Sequence, residues 1–133
     1  MGSFREFGEF GVMASFQRFE DIKAWQKARE LNKAIYGVTS SDPFSRDFGL
    51  RDQTQRAAVS IMANIAEGFG RRSNREFANF LVIAHGSAAE TQSHLYIASD
   101  LNYISESDFE KLYGMLDEIS RMVMALNLHL RKT

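Results

Sequence analysis

The 133-residue chain has no cysteine, one proline and one tryptophan. Without a thiol there is no disulfide framework, no thiolate zinc ligand and no cysteine nucleophile, a composition suited to a reducing compartment. Cytoplasm is therefore the expected location. Long apolar runs are missing as well: none approaches the roughly 20 residues of a membrane span, and the N-terminus lacks a basic stretch followed by an apolar core. Neither a membrane helix nor an export signal is expected. Charge of one sign is not in excess, since the formal net charge is −1. That balance argues against a general nucleic-acid coat, whose affinity comes from clustered cations. Strand-like alternation bounded by hairpin signals is absent too.

What is present is helical spacing. Phe109, Leu112, Leu116, Ile119, Val123, Leu126 and Leu130 recur every three or four residues, a seam that buries itself against other helices. Phe77, Phe80, Leu81, Ala84, Ala88, Thr91, Leu95 and Ala98 trace a second such face, with small residues in its middle. Leu50, Thr54, Ala57, Ala58, Ile61 and Ile65 mark a third, and Ile22, Trp25, Ala28, Leu31 and Ile35 a fourth. The corners carry turn chemistry: Ser40-Ser41-Asp42-Pro43, then Gly68 to Ser73, then Asn102-Tyr103-Ile104-Ser105. Ser105 stands three residues before Asp108, so its side chain is placed to cap the last helix. One domain of all-α class follows, an antiparallel up-down-up-down four-helix bundle over residues 19–133. Ahead of it, Phe4, Phe7 and Phe10 alternate with Gly8 and Gly11 without helical period, and Met13 offers a second start. Residues 1–18 are expected to be a disordered arm or the product of a misassigned start, with a packing arm as the alternative.

Charge is spread unevenly. Between residues 46 and 75 lie Arg46, Arg51, Arg56, Arg71, Arg72 and Arg75 against Asp47, Asp52 and Glu67, whereas from Glu76 to Ser120 eight acids face only Lys111. Solvated helix faces and salt bridges explain most such patterns. A local basic patch is the sharper reading.

Several ordered motifs carry a family resemblance. Phe19-Glu20-Asp21-Ile22-Lys23-Ala24-Trp25-Gln26-Lys27-Ala28, the run from Arg56 to Arg71, Glu76-Phe77-Ala78-Asn79-Phe80-Leu81 and Ala84-His85-Gly86-Ser87-Ala88-Ala89-Glu90 resemble the four-helix-bundle proteins encoded in intervening sequences of bacterial 23S rRNA genes. The resemblance runs from about residue 19 to the C-terminus. One departure is Met62, where these proteins often carry proline, so a proline bend has no residue to impose it here. The resemblance implies an antiparallel bundle assembled into a ring-like homopentamer, with no enzymatic activity defining the family. A related branch comprises accessory proteins of diversity-generating retroelements, which bind a reverse transcriptase and nucleic acid through a strongly basic surface.

The stretch Asn64-Ile65-Ala66-Glu67-Gly68-Phe69-Gly70-Arg71-Arg72-Ser73 is the most informative loop. Gly68 and Gly70 are read as ending the second helix and turning the chain. Ser73 followed by Glu76 fits a capping box for the third. "GFG" is no phosphate-cradling loop, because the G-x-G-x-x-G spacing, a preceding strand and a Walker lysine are missing. Arg71, Arg72 and Arg75 surround the start of the third helix, whose dipole favours anions, and Arg51 and Arg56 are candidates to join them at a phosphate backbone or an acidic partner surface. Intersubunit or local ion pairs with Glu67 and Glu76 would leave the same pattern. Phe69 is the one aromatic near them, and its plain role is packing.

Other chemistry finds little footing. Glu90 and His94 share a helical face at i, i+4, half of one incomplete di-metal motif, and are read as a surface hydrogen bond. His85 and His129 have no partner at ligand spacing, and no Ser-His-Asp set can be assembled. No catalytic residue, metal site or cofactor is expected. Val82 and Ile83 lie off the third seam, and Tyr113, Met115, Met122 and Met124 widen the fourth, surface enough for a subunit interface. The expectation is a non-enzymatic, cytoplasmic homo-oligomer that serves as an adaptor for RNA or a nucleic-acid-processing protein; the rival is a protein–protein assembly module without a nucleic-acid role.

Overall fold

The structure, a computed structural model, describes residues 16–132. Helix α1 spans Lys23–Thr39, α2 Phe48–Phe69, α3 Asn74–Asp100 and α4 Glu106–Lys132, with short 3-10 turns at Phe19–Asp21 and Phe44–Arg46. Each helix packs on the next in sequence, and α1 closes the square against α4. The pairing of α2 with α3 is the most extensive and that of α1 with α4 the least.

Antiparallel order follows from which residues meet. The Asn32 amide, on α1, donates to the Ala58 carbonyl at 2.9 Å, and Gln55 donates to Thr39 Oγ1 at 2.9 Å. Ser60 and Ser87 hydroxyls lie 2.8 Å apart across α2 and α3, while Gly68, further along α2, meets Phe77 and Phe80, earlier on α3. On α4, Asn127 donates to the Ala78 carbonyl at 2.7 Å, whereas Gln92 reaches back to Asp117 at 2.9 Å. Numbering rises on one helix as it falls on its neighbour in every case.

The core is the set of seams read from the sequence. Leu31, Ile35, Ile61, Ile65, Phe77, Leu81, Leu95, Leu112, Leu116 and Ile119 are fully enclosed, each contributing about 1.5–3 kcal/mol of burial. Trp25, Leu50, Phe80 and Phe109 sit at seam edges and stay half-buried. Ser73 caps α3 by accepting from the Glu76 N–H at 3.1 Å, and Ser105 caps α4 by accepting from Asp108 at 3.0 Å. At Met62, α2 continues without interruption; its sulfur lies 3.4 Å from the Asn32 amide nitrogen.

The two glycines of the α2–α3 junction have different reasons from one another. Gly68 is the penultimate residue of α2, in its last turn, and a Cβ there would stand 2.7 Å from Phe80 Cβ and 2.9 Å from Phe77 Cδ1. It is glycine because α3 passes too close for a side chain. Gly70 does end the helix, in right-handed geometry at φ −77°. A left-handed corner appears instead at Asn102, φ 59°, where Tyr103 N–H bonds Ala98 O and Asn102 N–H bonds Ser99 O, closing α3 through its free carbonyls.

Residues 16–18, assigned from the sequence to the arm, belong to the fold: the Phe16 ring meets Phe69 edge-on at 6.4 Å, and the N–H groups of Gln17 and Arg18 donate to Asp21. The rest of the expected arm, residues 1–15, lies outside the described residues.

Candidate nucleic-acid interface

The α2–α3 turn lies at the end of the bundle where α4 finishes. Arg71 is held there on two sides, by Glu67 at 2.7 Å and by the Phe80 ring at 4.7 Å from its guanidinium. Arg72, in the turn just before the Ser73 cap, and Arg75, in the first turn of α3, are exposed. Ser73, Asn74 and Arg75 line one wall of an open cleft of about 560 Å3, and Leu130 and Arg131 of α4 line the other. Arg131 donates to Asn79 at 3.1 Å. The N-terminal N–H groups of α3 point out of this end, so guanidinium charge and helix dipole have the same sign. Such a surface can hold an anion, through contacts that salt screens.

The five arginines singled out by sequence do not form one patch. Arg71, Arg72 and Arg75 share this end. Arg51 is twenty residues before Arg71, about 30 Å away along the helix axis at 1.5 Å per residue. It is engaged locally, by Asp52 at 2.9 Å, by the Ser45 carbonyl at 3.0 Å and over the Phe48 ring at 4.8 Å. Arg56 is exposed on the flank of α2 between them. In place of Arg51 and Arg56 the structure brings in Arg131, which sequence spacing did not suggest. Topology would have found it, since the fourth helix of an up-down-up-down bundle returns to the α2–α3 end. Phe69 packs between Phe16 and Phe77, with ring centroids at 6.4 and 6.1 Å, so its face is occupied.

The opposite end is knitted by a different group. Asp47 caps α2 by accepting from Leu50 N–H at 3.1 Å and also accepts from the Tyr103 hydroxyl at 2.9 Å. That hydrogen bond, with some burial and the Asp47 charge, raises the Tyr103 pKa above the usual phenol value. Phe44 is completely buried beneath Tyr103, ring centroids 5.3 Å apart.

His94 corrects another expectation. It is buried, its Nε2 stands 3.9 Å from Glu90 Oε2, beyond hydrogen-bond distance, and its Nδ1 has no partner. Glu90 is exposed, but His94 is not at the surface, and the two are not hydrogen-bonded. Among the described residues no three His, Asp or Glu side chains gather as metal ligands, and no helix is long and apolar enough to cross a membrane.

The chain resembles a Bacteroides thetaiotaomicron protein of unknown function from the S23 ribosomal protein family, solved at 1.70 Å. The two are 26% identical, the match covers 81% of this chain and 97% of that one, and the TM-score is 0.74. No curated protein sequence matches. Residues 20–125, from the 3-10 turn before α1 to near the end of α4, fit the family model for 23S rRNA-intervening sequence proteins, and the chain is a member of that family.

Proposed function

We propose that this protein is a non-enzymatic, homo-oligomeric scaffold of the cytoplasm that acts as an adaptor for RNA or a ribonucleoprotein. The carrying observation is the basic end of the bundle, where Arg72, Arg75 and Arg131 flank the start of α3 beside an open cleft. Repetition of that end around a ring, a pentamer by family resemblance, would multiply phosphate contacts that are weak singly. Arg71 acts chiefly as a brace for the turn, because Glu67 and Phe80 already engage it.

Binding of single-stranded and duplex RNA across a salt series tests this. Affinity should fall steeply as salt rises, and Arg72→Ala with Arg75→Ala should weaken binding and flatten the slope by about two phosphate contacts per protomer. Absence of binding at low salt would refute the adaptor reading. A protein–protein assembly module without a nucleic-acid role is the second reading, favoured by the apolar residues exposed on α3 and at its C-cap: Val82, Ile83, Tyr96, Ile97 and Leu101.

A further inference from the structure

The outward face of α3 is built unlike a solvated helix face. Val82, Ile83, Tyr96 and Ile97 are each between 44% and 53% exposed, and Gly86, Ala89 and Ser93 lie exposed between them. A Cβ on Gly86 would meet nothing within 4 Å. A glycine inside a helix weakens it relative to alanine, and here no contact within the protomer requires one. The charges on this face are of one sign: Glu90 and Asp100 are exposed, and no Lys or Arg occurs between Glu76 and Glu110.

Helix α1, diagonal to α3 in the square, carries the complement. Its exposed face reads Lys23, Gln26, Arg29, Glu30, Lys33, Tyr36 and Gly37. Gly37, too, has nothing within 4 Å of a would-be Cβ. The spacings match. Lys23 and Lys33 are ten residues apart, as are Glu90 and Asp100, about 15 Å along each axis. One antiparallel register sets Lys33 against Glu90, Lys23 against Asp100 and Gly37 against Gly86.

We infer that the outward face of α3 is the seat of helix α1 from a second copy of this chain, crossed most closely where Gly37 meets Gly86. The inference rests on the homo-oligomeric reading above and names its contact. Lysine and arginine stems cover the apolar stripe while their charges reach the carboxylates, and Tyr36 seats near Ile83. The two faces differ, so the contact is head-to-tail, the kind that closes into rings when the rotation allows.

The test is native mass against concentration for the full chain, with helicity measured by circular dichroism. Gly86→Gln fits the isolated protomer without a clash and should keep it folded while lowering the mass to the 15.1 kDa protomer, or raising the half-assembly concentration at least tenfold. Glu90→Lys and Lys33→Glu should each weaken assembly, and the two together in one chain should restore most of it. A wild-type chain that stays a protomer at all concentrations would overturn both the homo-oligomeric reading and this contact. A wild-type oligomer that Gly86→Gln leaves intact would overturn the contact alone. Charge reversals that add without mutual rescue would overturn the pairing of α3 with α1.

Discussion

Helix α3 is met by a glycine of α2 on its inner side and carries a glycine of its own on its outer side, and the two contrast. Where α3 meets α2, Gly68 leaves no room: the Phe80 and Phe77 side chains stand within 3 Å of any Cβ placed there. On the outward side, Gly86 faces open space. The same residue type thus marks a close approach that the fold itself makes in one place, and in the other a position where the protomer leaves room for the approach inferred above. Context, not residue identity, tells a packing glycine from one reserved for a neighbour.

Four measurements would break or sharpen that contrast, all by denaturant unfolding at low protein concentration. The largest effect belongs to the inward side of α3: Leu81→Ala empties a fully buried site and should cost about 2–5 kcal/mol. Gly68→Ala should cost about 1–3 kcal/mol, since the added methyl forces α2 and α3 apart and overpacking outweighs any gain in helix propensity. Gly86→Ala should have the opposite sign, stabilising by about 0.5–1 kcal/mol; equal signs at the two glycines would remove the contrast altogether. The smallest change is Tyr103→Phe at the far end, which loses the hydrogen bond to Asp47. Its pKa is raised in the folded state, so this link is present in full below the unfolded phenol value of about 10. It is lost as pH climbs through the raised folded value. Wild type should therefore lose stability in that alkaline range by more than Tyr103→Phe does.

Reading the sequence located what local periodicity encodes. The seam positions of all four helices, Ser73 and Ser105 as caps and the exposure of Val82 and Ile83 are where spacing put them. What escaped depends on contacts between distant segments. Asp47 and Tyr103 are 56 positions apart, and neither spacing nor composition joins them. Gly68 looked like a helix end because glycine commonly is one, and only the position of α3 reveals the other cause. His94 was assigned to the surface through its i, i+4 relation to Glu90, yet α3 is buried over more than one stripe and takes the ring inside. Asn32 and Asn127 each follow a seam leucine directly and lie buried, a place that their polarity hides from apolar spacing. The arginines were legible as a basic segment, but a helix of 22 residues necessarily separates its two ends, and charge counted along the chain cannot show that.

The polar ties between helices have a consequence for how the chain reaches its final form. Asn32 joins α1 to α2, the Ser60–Ser87 pair joins α2 to α3, and Asn127 joins α3 to α4, whereas α1 meets α4 through the half-buried Lys27–Glu118 pair, at 3.6 Å. The first three junctions specify register, because sliding a helix by one turn strands a buried amide or hydroxyl. The fourth is apolar and tolerant of sliding. During synthesis, α1 to α3 can therefore set their mutual alignment as they emerge, while two of the four seams wait for α4. The last helix arrives at a groove whose register is already decided on one wall and forgiving on the other, and the bundle closes without having to search for both at once.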